Sequence, residues 1–565
     1  MIKKRLLSLK KKFKANGIDG YAIPKNDEFF SEFTNKDRLK TISNFTGSAG
    51  YAVVLKNKNY LFVDGRYHIQ AQIEAGQNFK IIDLKNIVNC NLFKNMTIGV
   101  DPKLFTPQQV KKFFLKNNKI KILNQNLVDK ISGKYKASQK PFFSISDTVN
   151  GENFKRKIKK ISHILRKKNI NFLFVSAPEN VAWALNIRGF DSPNSPIPNC
   201  RLIIDKNNRF YLIAKKVKLL KLLKEGKIQN YQVVDPNKFS NFLSRFEKGK
   251  IIIDKKTCSI FNNNLLKKKF KIIDNDDPIY LLKSVKNSSE IKNMIDSHIH
   301  DGVALTKFLY WIKKINKKKI TEFNAQKKLE FFRKKNKNYL SPSFNTIAGT
   351  GGNGAIVHYR ATKKNTKMIK KNDIFLCDSG GQYKYGTTDV TRTICFSKPK
   401  KKIKDIFTKV LKGHIAVIKS NLKTHFNGKL IDKNARKFLK RSGLDYEHGT
   451  GHGVGFYLNV HEGPQAISKY NTIKIKKGMI LSNEPGYYKK NQFGIRIENL
   501  IYVCEKNKQL YFENLTLAPI EKDLINFNLL TKFEKDYLFK YHLNVYSKLS
   551  KYLNSSEKKW LLTFI

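Results

Sequence analysis

Two pairs of acids in this chain have the spacing to do chemistry. Asp378 closes the apolar run 374–377, Asp389 lies in the Thr- and Val-rich run 387–396, and residues 384–386 between them read as a turn. Folded about that turn, positions 378 and 389 fall opposite one another and share a face. The layout recurs: Glu484 follows the apolar 479–481, Glu498 lies in the run 495–503, and a turn at 489–492 stands midway. Two carboxylates so placed repel unless a cation sits between them or one takes a proton. One such hairpin is as readily a solvated turn pair; two in one region argue for metal. A third element is the Gly-rich segment 447–455, where His448 and His452 stand four apart. Its glycines at 449, 451, 453 and 455 oppose a helix through the two histidines and favour close backbone packing. His461 follows on a sharp turn ahead of Gly463 and Pro464, and His358 follows a Gly-rich loop. A lone histidine is more often a packed residue than a ligand, but these four gather among the acids. His163, His414, His425 and His542 keep the structural reading. Four carboxylates with one imidazole suit two hard or borderline divalent cations, such as Mn²⁺, better than a Zn²⁺ held by thiolates. A water bridging two such ions loses a proton near neutral pH and becomes a hydroxide nucleophile. The chemistry implied is hydrolysis of amides or phosphates.

The elements that position these groups occupy the second half of the chain. At about 150 residues per domain, 565 residues predict three or four domains, and 41% hydrophobic residues supply their cores. Two segments of the first half share a layout. Strand 18–23, turn 45–50 and the hairpin 51–63 match strand 170–175, helix 180–185 and the hairpin 201–213. That repeat, about 150 residues apart, predicts two α/β domains of one fold. Residues 138–150 read as a linker between them. Asn287 followed by Glu290 has capping-box spacing, and the apolar positions behind it predict a helix over 291–312. After Ala518 the chain reads as a helical tail, with Leu538, Tyr541, Val545 and Leu549 on one face, docked on the third domain.

Charge decides little. Lys and Arg outnumber Asp and Glu by 110 to 44, a net +66, yet only 15 of the 110 are arginine. The lysines are spread in short runs along the whole length. A nucleic-acid surface would concentrate arginine and aromatics in one stripe, so scattered basicity is read as solvated surface, with no specific nucleic-acid partner. Cys90, Cys200, Cys258, Cys377, Cys395 and Cys504 form no paired motif, which fits a reducing compartment. The basic N-terminus lacks an apolar stretch of signal-peptide length, and no long apolar run follows elsewhere. A cytoplasmic protein without membrane attachment is expected.

The motifs DSGGQYKYGTTDVTRT (378–393), HGTGHGVGFYLNVHEGP (448–464) and LSNEPGYYKKNQFGIRIEN (481–499) resemble those of the pita-bread metallopeptidases. The chain is most similar there to three-domain cytosolic Xaa-Pro aminopeptidases, with VDGRYHIQA (63–71) and SFNTIAGTGGNGAIVHYR (343–360) matching too. The resemblance implies an α/β (α+β) chain. Two creatinase-type N-terminal domains of ribonuclease H-like fold would span 1–140 and 150–283. A pita-bread catalytic domain would span 286–505, and a docked extension 506–565. It makes Asp378, Asp389, His452, Glu484 and Glu498 ligands of two divalent ions, Mn²⁺ by preference with Zn²⁺ or Co²⁺ as alternatives. It has His358 and His461 contacting substrate and steadying the tetrahedral oxyanion, His448 lining the cleft, and Glu484 taking the proton of the attacking water. Arg66 matches a peptide-binding position. Arg496, two residues before Glu498 on one strand face, would orient that carboxylate. Tyr385 stands where the family usually has Asp, at a position that is not a ligand. The implied reaction releases the first residue of peptides with proline second, in a homodimer. A prolidase acting on Xaa-Pro dipeptides shares the ligands, and a non-catalytic binding member of the fold is the remaining alternative.

Overall fold

The computed structural model describes residues 1–88, 91–114, 118–133, 135, 138–315 and 320–565. They separate into two compact units, Met1–Tyr280 and Leu281–Ile565. Cys90 lies outside the described residues; Cys200, Cys258, Cys377, Cys395 and Cys504 are free thiols.

The first unit holds two six-stranded sheets of one topology. Strands β1 (Gly20–Pro24), β2 (Tyr51–Leu55), β3 (Asn59–Val63), β4 (Lys80–Asp83), β5 (Thr97–Val100) and β6 (Lys119–Ile122) are ordered β4-β3-β2-β1-β5-β6. Strands β7 (Phe172–Val175), β8 (Arg201–Asp205), β9 (Phe210–Ile213), β10 (Val233–Val234), β11 (Gly249–Ile253) and β12 (Phe270–Asp274) are ordered β10-β9-β8-β7-β11-β12. In both, the first three strands form an antiparallel meander and the flanking strands run parallel. The layout expected from the repeated hairpins is present in both halves. Alternation along the strands sends Tyr21, Ile23, Ala52 and Val54 to one core and Ala22, Val53 and Leu55 to the other, so both faces of the first sheet are covered. In the second copy the Asp205 carboxylate accepts from the backbone N–H of Asn207 and Arg209, and Asn208 takes a positive φ of 68°, which fixes the β8–β9 turn.

The segment 138–150 is not a free linker. Phe143–Ser144 pairs with Ile187–Arg188, Asp147–Asn150 forms a helical turn, and the Phe142 side chain is buried. Two buried aromatic and apolar positions, Phe142 and Ile145, outweigh the Pro and Gly punctuation that suggested a loose connection.

The second unit carries the acids. Asn287 caps the helix Ser288–Lys314 through a reciprocal capping box with Glu290. Strands β13 (Ile347–Thr350), β14 (Ile374–Ser379) and β17 (Val390–Cys395) form one sheet; β15 (Gly381–Tyr383) and β16 (Gly386–Thr387) close the hairpin between the last two. A second sheet is ordered β19-β18-β20-β23-β24, from β18 (Gly451–Gly453), β19 (Glu462–Ile467), β20 (Ile480–Asn483), β23 (Asn499–Lys506) and β24 (Gln509–Asn514). The hairpin β21 (Gly486–Lys489) and β22 (Phe493–Arg496) links its two central strands. Helices Lys401–Ile418 and Gly428–Lys440 cover this sheet with Ile406, Val410, Leu411, Ile431 and Leu439. The tail forms helices Lys532–Leu549 and Ser555–Leu562, and the four apolar positions read from the sequence are buried in the same core. No helix among the described residues is long and apolar enough to cross a membrane.

The tail contains an acid-sensitive contact. The His542 imidazole accepts a hydrogen bond at Nε2 from the Ile520 N–H, and burial, with Arg392 close by, lowers its pKa from 6.5 to about 4. Its neutral form therefore contributes stability fully above pH 6.5, and that contribution is lost as pH falls toward 4. Replacing it with glutamine, which keeps an acceptor, should remove the dependence. The gap in unfolding free energy between wild type and His542→Gln should narrow by about 2–3 kcal/mol between pH 7 and 4.5 in denaturant titrations. A gap that stays constant over this range would contradict the assignment.

Candidate metal centre

The first hairpin is built on a two-residue turn at Lys384 and Tyr385, because Tyr383 pairs with Gly386 and Gln382 with Thr387. That register carries on into β14 and β17, where Asp378 lies opposite Thr391 and Ser379 opposite Val390. Asp389 is therefore two residues from the position facing Asp378. The expectation of direct opposition is corrected to a diagonal relation on the same face, a consequence of a turn centred between 384 and 385. In the second hairpin, Asn483 pairs with Asn499 on one side and Gly486 with Arg496 on the other. Continued through the gap, that register sets Glu484 across from Glu498. Their backbones are tied to neighbouring ligand segments, Glu484 N–H to the Thr450 carbonyl at 2.8 Å and Glu498 N–H to the Thr391 carbonyl at 3.2 Å.

His452 enters from β18, the central residue of a Gly-His-Gly strand wedged between β19 and β20. A Cβ at Gly451 would come 1.9 Å from the Ser482 carbonyl oxygen, and one at Gly453 would meet Gln465 at 2.3 Å. Only glycine lets this strand approach closely enough to deliver the imidazole. The His452 Nδ1–H is directed to the Gly453 carbonyl at 2.9 Å, so Nε2 faces the acids, 3.4 Å from Asp389 Oδ2 and 3.6 Å from Glu484 Oε1. Asp389, His452 and Glu498 each offer a ligand atom within 4.8 Å of the others.

The electrostatics of the site call for a cation. Burial, with Asp389 and Glu484 as neighbours, pushes the Asp378 carboxyl up to about 7. Burial and the same acids, with Asp378, drive Glu498 well above the carboxylate range. For Glu484 burial acts upward, but His452 first, and Arg496 with it, hold the group low. Burial opposes protonation of His452, yet Asp389 and Glu484 raise it to about 9, so the imidazole is made to serve as the missing positive charge. Asp378 Oδ1 is buried with no hydrogen-bond donor. An oxygen-rich donor set, an unmatched buried carboxylate oxygen and an imidazole nitrogen turned toward the acids all fit divalent metal.

Around the acids runs a network that sequence reading missed. Arg496 reaches Asp378 Oδ2 at 2.6 Å, Tyr488 Oη at 2.6 Å and Thr391 Oγ1 at 3.0 Å. Thr391 in turn donates to Glu498 Oε2 at 2.7 Å. Arg496 thus touches Asp378 directly and Glu498 only through a threonine hydroxyl, a different geometry from the expected same-face contact. Tyr488 donates to His448 Nε2 at 2.8 Å, since the His448 Nδ1–H is committed to the Gly449 carbonyl at 2.7 Å. Burial lowers His448 to about 4, so it is neutral. The alternation of β21 and β22 hinted at Tyr488; nothing in the linear sequence connects Thr391 with Glu498.

The remaining candidates are distributed as follows. The His461 ring lies 4.4 Å from the His452 ring, edge to face. His358 is half-buried in the loop that leaves β13, whose Ile347 pairs with Asp378. Arg66 belongs to the first unit, where it pairs with Asp64 at 2.8 Å. A second gathering, Cys395, Glu521 and Asp523, already holds a cation: the Lys313 ammonium contacts both carboxylates and the Cys395 carbonyl.

The description "Metallopeptidase family M24" matches residues 292–505, "C-terminal region of peptidase M24" matches 508–563, and "Creatinase/Prolidase N-terminal domain" matches both 5–125 and 133–290. The Xaa-Pro aminopeptidase 1 of Dictyostelium discoideum is 34% identical over 99% of this chain and 96% of its own length. The chain belongs to metallopeptidase family M24. Among solved structures, the X-prolyl aminopeptidase of Caenorhabditis elegans, described as cytosolic with a di-nuclear active site, is 28% identical. It superposes with a TM-score of 0.91 over 99% of this chain and 98% of that one. The prolidase of Pyrococcus horikoshii is also 28% identical, but with a TM-score of 0.53 it covers 65% of this M24 chain and 99% of its own.

The Thr391 hydroxyl is the joint between Arg496 and Glu498, which makes it the sharpest probe of the network. Thr391→Val should fold normally and weaken metal binding by about 10- to 100-fold in chelator-competition titrations of the purified protein. Unchanged affinity would remove Thr391 from the support of the centre.

Proposed function

We infer that this M24 chain is a metal-dependent Xaa-Pro aminopeptidase, releasing the first residue of peptides with proline second. The observation that carries the reading is the likeness to an X-prolyl aminopeptidase along the whole chain, both N-terminal domains included, where the prolidase accounts for only about two thirds of it. The gathering of Asp378, Asp389, His452, Glu484 and Glu498 around one buried centre supports those five as holders of two divalent ions. Their oxygen-rich character supports Mn²⁺ ahead of Zn²⁺ or Co²⁺. A cytoplasmic homodimer completes the proposal; the description of the Caenorhabditis enzyme as cytosolic supports the location.

When bound, a pair of such ions acidifies water and polarises a carbonyl oxygen. The chain's own groups do the rest. Glu484 is held ionised by His452 and Arg496, so its carboxylate is ready to take a proton from the attacking water and return it to the proline nitrogen as the bond breaks. His461, whose ring lies against that of His452, is the proposed donor to the developing oxyanion, with His358 as the second donor. His448, kept neutral and held by Tyr488, lines the cleft without adding charge. Arg66 is proposed as a peptide-binding residue. The Xaa-Pro bond carries no N–H, so recognition of the leaving residue must come from a shaped wall rather than from an amide hydrogen bond.

Purified protein should release the first residue of an Xaa-Pro-Yaa tripeptide. Glu484→Gln should lower kcat by roughly 10²–10⁴-fold with the circular dichroism spectrum unchanged. Cleavage of Xaa-Pro dipeptides with no action on the tripeptide would establish the prolidase reading instead. Removal of metal by a chelator should abolish turnover and Mn²⁺ should restore it; failure of every divalent ion to do so would overturn the metal-dependent assignment.

A further inference from the structure

Next to His461 stands a carboxylate that the mechanism leaves unused. Glu462 is completely buried between two lysines that are themselves buried: Lys283 donates to Oε2 at 2.8 Å and Lys286 donates to Oε1. The side chains are 0%, 2% and 1% exposed for Glu462, Lys283 and Lys286, so the whole trio is shut away from solvent. Stability alone is a poor reason for such a group, since buried ion pairs are commonly replaced by apolar residues without loss.

Its place in the sheet gives a better reason. His452 pairs with Ala466, but the next residue, Gly453, pairs with Glu462, so the β18–β19 ladder shifts register immediately after the ligand. A bulge of this kind re-aims side chains and leaves the local ladder without the hydrogen bonds that would hold them. The two imidazoles meet at that irregularity. The lysines, by contrast, come from a firmly held segment. Val285 bridges to Met479, Lys286 N–H donates to the Gly478 carbonyl at 3.0 Å, and a Cβ at Gly478 would stand 2.3 Å from the Lys286 carbonyl oxygen. Met479 leads directly into β20, which ends at Asn483, immediately before Glu484. The clamp therefore ties together the strands that carry His452, His461 and Glu484.

We propose that Glu462, gripped by Lys283 and Lys286, is a positioning residue that sets His461 against the His452 ligand. The inference rests on the aminopeptidase reading for its consequence in catalysis, but the placement of His461 can be observed without turnover.

Two variants test it: Glu462→Gln, which keeps the shape and removes the charge, and the triple variant Lys283→Met, Lys286→Met, Glu462→Leu, which replaces the clamp by apolar packing. Protein labelled with ¹³C in its histidine rings reports the His461 resonance, assigned through His461→Gln. In Glu462→Gln that resonance should shift or broaden, with two metal ions still bound. On an Xaa-Pro-Yaa peptide, kcat should fall roughly 10- to 100-fold at little-changed KM, the penalty of a misplaced donor. The triple variant should keep the wild-type melting temperature and show the same loss of kcat, which a purely structural role would not produce. A stable triple variant with wild-type kcat, or an unmoved His461 resonance in either variant, would overturn the proposal. An inactive wild type would count against the aminopeptidase reading, with the resonance still deciding the position of His461.

Discussion

Four carboxylates cannot share one buried pocket in ionised form unless positive charge joins them. Two unit charges 4 Å apart interact by about 4 kcal/mol at an effective dielectric near 20, and the neighbouring acids here push one another up. The protein supplies one permanent counter-charge, Arg496 on Asp378, and answers the rest with rigidity. Each acid hangs on or beside a strand whose register fixes it, and one imidazole is driven in on a Gly-His-Gly strand that tolerates no side chain on either side. The acids nearest the middle are pushed toward their neutral forms while His452 is pushed toward its charged one. Such opposed displacements mark a site whose charge balance is finished by something bound.

That constraint explains which parts of the structure the linear sequence reveals. Acids paired about a turn, and glycines alternating with histidine, are local patterns, and both survive into the fold. Glu484 and Glu498 meet because turn position and strand length alone set their register. Asp378 and Asp389 fall two residues out of register because the turn centres between 384 and 385 and not one residue earlier, a difference that composition does not mark. The duplicated sheets of the first unit were legible for the same local reason, in their hairpins. The links that brace the centre were not. Thr391 to Glu498 spans 107 positions and Lys283 to Glu462 spans 179, and no periodicity carries information across such separations. Residues 138–150 show the opposite failure, where Pro and Gly suggested a connection and burial of Phe142 decided otherwise.

Side-chain chemistry adds a clue that composition conceals. Basic residues are abundant, yet arginine is scarce, and those in the second unit are placed with purpose. Arg333 grips Asp301 with two nitrogens and reaches Ser379 and Gly380, the residues immediately after Asp378. Arg392 holds the Glu498 carbonyl, Asn499, the Ala518 and Pro519 carbonyls and Tyr541. Arg436 joins Asp432 and Asp445 to the His448 carbonyl, and Arg496 joins Asp378, Tyr488 and Thr391. Arg360 and Arg441 are exposed.

Every buried arginine of this unit thus braces backbone or side chain within a few residues of one of the clustered acids or of His448. A planar fork with five donors satisfies several carbonyls at once, and a lysine ammonium cannot span the same set. In a chain where lysine serves nearly everywhere else, retention of arginine at these four positions is the mark of geometric demand. The Arg392 fork has a further consequence. Because it binds Tyr541 and the carbonyls at 518 and 519 together with the Glu498 carbonyl, the C-terminal helices are part of the scaffold that fixes the Glu498 backbone. The extension is structurally continuous with the centre although none of its side chains points into it as a ligand.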